Sequence, residues 1–407
     1  MNNWQAKKIQ QSRTHQNRVF NEHVNELEVS ERHGKVITLS DGRRMVEFVS
    51  CSYLGLETHP DLVAAIHKAV DKFGAQLSVA RTRIKVDIFN RFESLLSSII
   101  AGVPVLSFNA VTPCHLAVLP LLGSGELPHF TYNKGPIFLL DKTAHATMQI
   151  NRGLLLQFGE VRRFDFQDTD RLESEFAGAE SKGLTPVSIS DSVGSMGGVA
   201  PVNLLLHLAE KHNGYVYLDD AHGTSVFGKN GAGYVMECTN NHFPERLILV
   251  GSLSKAFGSH GGFVACQKED THLFIKQFGT TYAFGGPPSL PGIAACVAAA
   301  ELHLNGEVTR RQQLLQKMIN VFDEAFNAHH VINHNALMPI RGLFIGNEDR
   351  AISVCAALHD KGFATTVAMF PTVEQGKAML RCAISANHSP EQINAFASAF
   401  KDVLAVH

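Results

Sequence analysis

The sequence predicts an α/β protein with a mostly parallel central sheet flanked by helices, followed by a smaller C-terminal α+β domain. From about residue 57, helical periods alternate with short apolar runs, and this alternation is typical of βαβ units. The runs lie at residues 103–108, 137–141, 186–190, 214–218, 246–250 and 262–265. The alternation ends after an alanine-rich helix predicted at 288–304, and the shorter segments beyond it indicate the second domain.

The 407 residues exceed what one hydrophobic core usually supports, so we expect more than one domain. We predict an N-terminal arm and hairpin at 1–56, a large domain at 57–300 and a small C-terminal domain at 301–407. Residues 1–34 are polar and predict an amphipathic helical arm, and Ser40-Asp41-Gly42 between two apolar runs predicts a hairpin. In the C-terminal domain we expect helices at 307–328, at 348–361 and from 389, with apolar segments around 330–346.

The composition disfavours several classes of protein. Lysine and arginine number 36 against 38 acidic residues, without a basic stripe, which disfavours nucleic acid and anionic membranes as partners. No stretch reaches the length of a membrane helix and the N-terminus lacks the apolar core of a signal peptide, so we expect a cytoplasmic protein. Seven cysteines without a Cys-x-x-Cys pair, and 21 histidines without recurring ligand spacing, predict neither a disulfide scaffold nor a metal site.

A lysine and an aspartate carry the strongest chemical signal. Lys255 lies in the run Ser252-Leu-Ser-Lys-Ala-Phe-Gly, 36 residues after Asp219. An unprotonated lysine amine can condense with an aldehyde, and a carboxylate can hold a pyridine nitrogen protonated. Both residues follow apolar runs predicted to be parallel strands, at whose carboxyl ends open α/β sheets bind ligands. The pair therefore indicates pyridoxal phosphate, with His222 placed to hydrogen-bond the ring hydroxyl or the substrate.

Each candidate also has a plainer interpretation. Lys255 alone could be a surface lysine in a Ser/Gly loop, and Asp219 alone could cap a helix. His145, after an apolar run, could be a buried histidine with satisfied nitrogens, and Arg381 could pair with a surface carboxylate from an edge strand. Only the joint occurrence of these residues in one order favours the cofactor site.

Six motifs together resemble the α-oxoamine synthases of the fold-type I pyridoxal phosphate enzymes. They lie at residues 50–56, 141–146, 191–201, 219–222, 252–255 and 380–388. This family includes 8-amino-7-oxononanoate synthase, serine palmitoyltransferase and the aminoketone quorum-signal synthases, and the resemblance to the last two is strongest. It implies decarboxylative condensation of a small L-amino acid with an acyl thioester, on coenzyme A or an acyl-carrier protein, to give an α-aminoketone. It also implies a homodimer with shared active sites.

The resemblance assigns a role to each matching residue. Lys255 would hold the cofactor and transfer the proton, Asp219 would bind the ring nitrogen and His222 the phenolic oxygen. His145 would stack on the ring, which makes Lys255, His145 and His222 the catalytic candidates. The remaining cofactor-binding candidates are Ser252, Ser192, Val111, Thr112, Gly285 and Gly286. The candidates for substrate binding are Arg381, which would hold the carboxylate bidentately, with Cys51 and Tyr53.

The chain departs from the family pattern at several places. Cys51 replaces the usual asparagine, residues 110–113 replace Ser-Gly-aromatic before the phosphate helix, and His115 replaces an asparagine one turn later. Gly285 and Gly286 stand where relatives have a Ser/Thr-rich stretch that reaches the neighbouring subunit's phosphate. Because these changes surround the substrate and phosphate, we expect a specialised signalling or secondary-metabolite enzyme. An aminotransferase or lyase of the same fold, or a non-catalytic cofactor-binding relative, stays open as an alternative.

Overall fold

Two groups of residues fold as units in the computed structural model, which describes residues 4–326 and 330–407. One unit is the continuous segment Leu56–Arg310, and the other combines the residues up to Gly55 with Arg311–His407. The N-terminal segment and the C-terminal region therefore belong to the same unit.

The segment 56–310, described throughout, contains a seven-stranded sheet in the order β4-β10-β9-β8-β7-β5-β6. Its strands are β4 (Val105–Phe108), β5 (Pro136–Asp141), β6 (Glu160–Phe164), β7 (Thr185–Asp191), β8 (Tyr215–Asp219), β9 (Leu247–Ser252) and β10 (Gly262–Ala265). All pairings are parallel except those of β10, which is antiparallel to both of its neighbours. The six apolar runs thus form strands, which confirms the predicted mostly parallel sheet.

Helices accompany this sheet along the whole segment. They are α2 (Pro60–Phe73), α3 (Asp87–Ile99), α4 (Val111–Ser124), α5 (Ala146–Gln149), α6 (Arg152–Leu155), α7 (Thr169–Ser181), α8 (Val202–Lys211), α9 (Tyr234–Cys238), α10 (Glu269–Phe278), α11 (Thr280–Phe284) and α12 (Leu290–Leu304), with short 3₁₀ turns at Leu56–Thr58 and Lys229–Gly231. The core of the unit includes α4, whose Ala117 and Val118 pack in one cluster with Phe138, Ile189 and Val250 of the strands. This packing fixes the start of α4 close to the sheet.

The other unit contains two small sheets. The first has the order β1-β2-β3-β13, and the second has the order β11-β12-β15-β14. The strands are β1 (Val29–His33), β2 (Val36–Leu39), β3 (Arg44–Glu47), β11 (Val331–Ile332), β12 (Ile340–Gly346), β13 (Phe363–Ala364), β14 (Thr366–Ala368) and β15 (Ala378–Ala383). The helices are α1 (Trp4–Asn21), α13 (Glu307–Ala325), α14 (Glu348–Asp360) and α15 (Pro390–Val406). These elements confirm a C-terminal region that mixes helices and strands.

The N-terminal segment corrects one expectation and confirms another. The predicted helical arm at 1–34 is wrong in its second half, because α1 ends at Asn21 and residues 29–33 form β1, antiparallel to β2. All five residues of β1 are exposed, so no apolar period marked the strand. The hairpin is confirmed, with Gly42 in the left-handed region at φ 87°. Residues 1–3 of the arm, and 327–328 of the helix predicted at 307–328, lie outside the described residues.

Two structural features are absent from residues 4–326 and 330–407. None of the helices there combines the length and the hydropathy needed to span a membrane. Nor do three or more histidine, cysteine, aspartate or glutamate side chains gather there in a way that could hold a metal ion.

Candidate active site

Four parallel strands end in polar side chains at one edge of the large sheet. β5 ends at Asp141, β7 at Asp191, β8 at Asp219 and β9 at Ser252. Asp191 and Asp219 are directly opposite each other in the register of β7 and β8. β4 has the same direction as these strands, since β4 and β9 both pair antiparallel with β10. Therefore α4, which follows β4, begins at this edge as well.

Asp219 is a buried carboxylate with two donors. His115 Nε2 lies 3.2 Å from its Oδ2, and the backbone N–H of Ala221 donates to its Oδ1 at 2.9 Å. Burial alone would raise the pKa of Asp219, but its contact with His115, above all the hydrogen bond, and the charge of Lys255 outweigh burial and lower it. The core therefore holds an ionised carboxylate, which is what a protonated ring nitrogen requires.

The pKa of Asp191 shifts in the opposite direction. Burial and the negative charge of Asp219 raise the pKa of Asp191 well above its usual range, against the effect of the N–H of His145. That N–H donates to Asp191 Oδ2 at 2.7 Å. The pKa values of the two neighbouring carboxyl groups thus shift in opposite directions, because Asp219 has the hydrogen bond from the His115 side chain and the charge of Lys255, whereas Asp191 lies beside the negative charge of Asp219.

His145 is the N-cap residue that precedes the short helix α5, and the residue is exposed. Its Nδ1 lies 2.8 Å from the hydroxyl of Thr147. Loss of hydration on partial burial, and after it the charge of Lys255, lowers the pKa of His145, while Asp219 opposes this. A neutral imidazole can stack on another ring without placing a second cation beside Lys255.

Ser192 contacts a second buried acid, Asp220, which follows Asp219. The hydroxyl of Ser192 donates to Asp220 Oδ1, and the backbone N–H of Tyr234 donates to Asp220 Oδ2 at 2.9 Å. Burial, with the charge of Asp219 adding to it, raises the pKa of Asp220 to about 8. His222 is buried in the turn after β8. The predicted role of Ser192 at the cofactor stays a prediction. In this structure its hydroxyl donates a hydrogen bond to Asp220.

The start of α4 is the candidate phosphate site. α4 begins at Val111 after Ala110, which offers no side-chain cap, and the first N–H groups of a helix have no partner inside it. Thr112 follows, while Pro113 has no N–H, so Val111 and Thr112 carry the donors that face out of the first turn. A Cβ at Gly262 would lie 2.9 Å from Ala110 and Val111 backbone atoms, so a glycine is required where β10 passes the start of the helix.

The other predicted phosphate residues lie beside α4. The carbonyl of Gly285 accepts a hydrogen bond from Asn109 Nδ2 at 2.9 Å, and Asn109 lies two residues before α4 begins. Gly285 and Gly286 are both exposed. Their loop is therefore fixed near the start of α4 of its own chain.

Lys255 lies in a turn that is anchored at both ends. Ser252 Oγ accepts from the N–H of Ser254 at 3.1 Å, and Ser254 Oγ both donates to and accepts from the backbone of Gly261. The N–H of Gly258 donates to the carbonyl of Lys255 at 3.0 Å. Lys255 is half-buried, and its charge reaches Asp219, Asp191 and His145. The structure thus brings Lys255 and Asp219 into one electrostatic environment, as the sequence predicts.

In the other unit, the three candidates for substrate binding meet. Arg381 on β15 places Nη2 3.3 Å from the hydroxyl of Tyr53 and 3.5 Å from the sulfur of Cys51. The side chain of Tyr53 is fully buried, whereas Cys51 and Arg381 are half-buried. These contacts link a stretch near the N-terminus with a strand near the C-terminus.

Two contacts of this site were not predicted from the sequence. His115 contacts Asp219 directly, although in the sequence it stands out only as a departure from the family pattern. Asp191, which has no predicted role, holds the backbone of His145. A signal existed for His115, which follows Val111 by one helical turn and so lies on the same face of α4.

The residues at the sheet edge fit pyridoxal phosphate. Asp219 supplies an ionised carboxylate in the core, Lys255 supplies an amine within electrostatic reach of it, and α4 supplies uncapped N–H groups. An anion binds well at such a helix start.

Comparisons with known proteins agree with this chemistry. Residues 46–400 match the family described as Aminotransferase class I and II. The chain is 30% identical over 386 residues to 8-amino-7-oxononanoate synthase of Symbiobacterium thermophilum, covering 93% of each chain. It is 31% identical over 372 residues to the same enzyme of Nitrosospira multiformis, covering 90% of this chain and 88% of the relative.

Among solved structures, serine palmitoyltransferase of S. paucimobilis has the same fold. The TM-score is 0.85 at 20% identity, over 98% of this chain and 99% of that one. The fold-type I architecture predicted from the sequence is thereby confirmed, as are the cofactor and the class of enzyme. The chain belongs to the aminotransferase class I and II family, as a pyridoxal phosphate-dependent acyltransferase of the α-oxoamine synthase type.

Proposed function

We propose that this protein condenses a small L-amino acid with an acyl thioester, releasing carbon dioxide, the free thiol and an α-aminoketone. The observation that carries the proposal is the ionised, buried Asp219 within electrostatic reach of Lys255, in a chain of the α-oxoamine synthase type. 8-Amino-7-oxononanoate synthases and serine palmitoyltransferase are the relatives that support this reaction class.

When bound, pyridoxal phosphate supplies an electron sink for the carbanion at the α-carbon of the amino acid. Asp219, kept ionised, holds the proton on the ring nitrogen. The N–H groups of Val111 and Thr112, with the hydroxyl of Ser252, bind the phosphate. His145 would cover the ring as a neutral imidazole, His222 would donate to the phenolic oxygen, and Lys255 Nζ would take and return the α-proton.

Arg381 is proposed to hold the substrate carboxylate. A guanidinium binds a carboxylate through two parallel hydrogen bonds, which fixes the plane of the group. A fixed plane would orient the bond between the α-carbon and the carboxylate before carbon dioxide is released. Cys51 and Tyr53 border the guanidinium and so determine which amino acid fits beside it.

We further propose a signalling or secondary-metabolite product and a homodimer with shared sites. The support for the specialised product is that the departures from the family pattern occur at Cys51 and at the start of α4. The support for the dimer is the exposed Phe284 beside Gly285 and Gly286 at the start of α4. Light scattering of the purified protein, with Phe284→Ser as the variant, tests the dimer, because the serine should weaken an interface that buries this ring.

The test of the reaction uses purified protein with pyridoxal phosphate. Glycine, alanine, serine and 2-aminobutyrate are each combined with an acyl-coenzyme A or an acyl-carrier protein, and carbon dioxide and free thiol are measured together. We expect both products in equal amounts, only when both substrates are present. Lys255→Ala should abolish them, Lys229→Ala should not, and Arg381→Lys should raise the KM for the amino acid.

Two other outcomes would replace the proposal. Amino-group transfer to a keto acid without release of thiol would assign an aminotransferase of the same fold. Binding of the cofactor without exchange of the α-proton of any amino acid would assign a non-catalytic relative.

A further inference from the structure

A buried chain of three polar side chains leads from β8 through α4 to Asp219. His115 Nδ1 lies 2.8 Å from the hydroxyl of Tyr217, and its Nε2 lies 3.2 Å from Asp219 Oδ2. Tyr217 and His115 are fully buried and Asp219 is 2% exposed. Tyr217 and Asp219 are two residues apart on β8 and therefore face the same side of the sheet.

The position of each proton follows from these contacts. Burial raises the pKa of Tyr217 well above its usual range, so the phenol keeps its single O–H. Asp219 is ionised and can only accept, so Nε2 of His115 carries the proton between them. Nδ1 of His115 then accepts a hydrogen bond from the hydroxyl of Tyr217. Each donor among these three side chains therefore has an acceptor. The opposite tautomer would point a lone pair at the carboxylate.

We propose that His115 and Tyr217 are positioning residues that keep Asp219 ionised, so that Asp219 in turn keeps the ring nitrogen of the cofactor protonated. Tyr217 fixes the tautomer of His115, and His115 fixes one oxygen of Asp219. Where the family pattern has an asparagine, an amide could still donate to Asp219. In this protein the phenol of Tyr217 and the imidazole of His115 take the place of that amide. These roles depend on pyridoxal phosphate as the cofactor and not on the proposed acyl transfer.

The test is to follow the ring nitrogen directly. Pyridoxal phosphate labelled with ¹⁵N in the ring is bound to the parent protein, His115→Asn, His115→Leu and Tyr217→Phe, and the ¹⁵N shift is recorded from pH 6 to 9. We expect a protonated nitrogen across this range in the parent and a pKa lowered by about one unit or more in His115→Leu. His115→Asn should lie near the parent and Tyr217→Phe between the two.

A second readout is the dissociation constant of the cofactor. Losing a hydrogen bond to a buried charge should weaken binding by roughly 10- to 100-fold in His115→Leu. The control is His303→Asn, a fully buried histidine on α12 that bonds Ser225, which should lower the melting temperature without moving the ¹⁵N titration.

Identical ¹⁵N titrations in the parent, His115→Leu and Tyr217→Phe would overturn the inference and leave His115 a packing residue. Should His115→Leu fail to fold, Tyr217→Phe keeps the volume of the ring and decides alone. None of these readouts requires turnover, so failure of the acyl-transfer proposal would not alter them.

Discussion

The backbone N–H of His145 donates to Asp191 Oδ2 at 2.7 Å, so the acid that ends β7 holds the last residue of the loop between β5 and α5. The pKa of this acid is raised by burial and by Asp219, and the acid is therefore neutral. A neutral acid can anchor a backbone without adding a charge next to the ionised Asp219. Asp219 therefore supplies the negative charge of the site, and Asp191 fixes the position of the His145 backbone.

Asp191→Asn should preserve the cofactor site, whereas Asp191→Ala should not. The amide keeps an acceptor for the N–H of His145 and matches the uncharged state of the acid. We expect the dissociation constant of pyridoxal phosphate to change within about twofold in Asp191→Asn and to rise about tenfold in Asp191→Ala. Equal losses in both variants, measured by absorbance titration, would mean that a negative charge on Asp191 is needed.

Asp220→Asn should flatten the pH dependence of stability. The pKa of Asp220 is about 8 in the folded chain and near 4 when unfolded, so folding takes up a proton between these values. The free energy of unfolding is therefore highest at the acid end and falls as pH rises, by up to about 1.4 kcal/mol per unit. Asparagine can donate to Ser192 and accept from Tyr234 without titrating.

The measurement is urea unfolding of parent and Asp220→Asn, without cofactor, from pH 5 to 8. The variant should gain stability relative to the parent as pH rises, while Asp191 contributes equally to both proteins. A constant difference across this range would contradict the raised pKa.

Asp323→Asn should destabilise the unit that contains the C-terminus. Arg341 Nε and Nη2 donate to the two oxygens of Asp323, both at 2.7 Å, and Arg341 is fully buried. Removing the charge of one partner leaves a buried guanidinium, which costs about 3–5 kcal/mol. Thermal unfolding measures the loss, and the double variant Asp323→Leu with Arg341→Met should recover much of it. A double variant as unstable as the single one would show that the backbone carbonyls bonded to Arg341 matter more.

Pro113→Ala should tighten binding of the cofactor phosphate. Alanine restores an N–H in the first turn of α4, where proline has none, and one hydrogen bond corresponds to about a fivefold lower dissociation constant. Thr112→Val is the matched variant, because it removes a hydroxyl and keeps the N–H. Inorganic phosphate competition at pH 7 compares the three proteins. Unchanged affinity in Pro113→Ala would place the third N–H away from the phosphate.

The sequence was most informative where strands are buried on both faces. Such strands read as continuous apolar runs, so β4, β5 and β7 to β10 could be predicted. β6 at the edge alternates buried Val161 with exposed Glu160, and β1 is exposed throughout, so neither carried that signal. Short β13 and β14 depend on pairing with distant strands, which local pattern does not encode.

The site divides in the same way. The order of Asp219 and Lys255 could be interpreted because parallel strands bring their carboxyl ends together. The contact of His115 with Asp219 and Tyr217 depends on how α4 is rotated over β8, and packing of the whole core sets that rotation. Cys51, Tyr53 and Arg381 could be placed together only through the family resemblance, because more than 300 residues separate the two segments.

The pairing of β3 with β13 also bears on how the protein is made. Glu47 lies opposite Ala364, so 317 residues must be synthesised before this strand pair can form. At about 5–20 residues per second, the ribosome needs roughly 15–60 s for that length. The segment Leu56–Arg310 is continuous and can fold during this interval, while β3 keeps an unpaired edge open to other chains. The N-terminal strands are thus synthesised first, but their sheet is completed last. Until then, the open edge of β3 in the nascent chain needs protection from other chains.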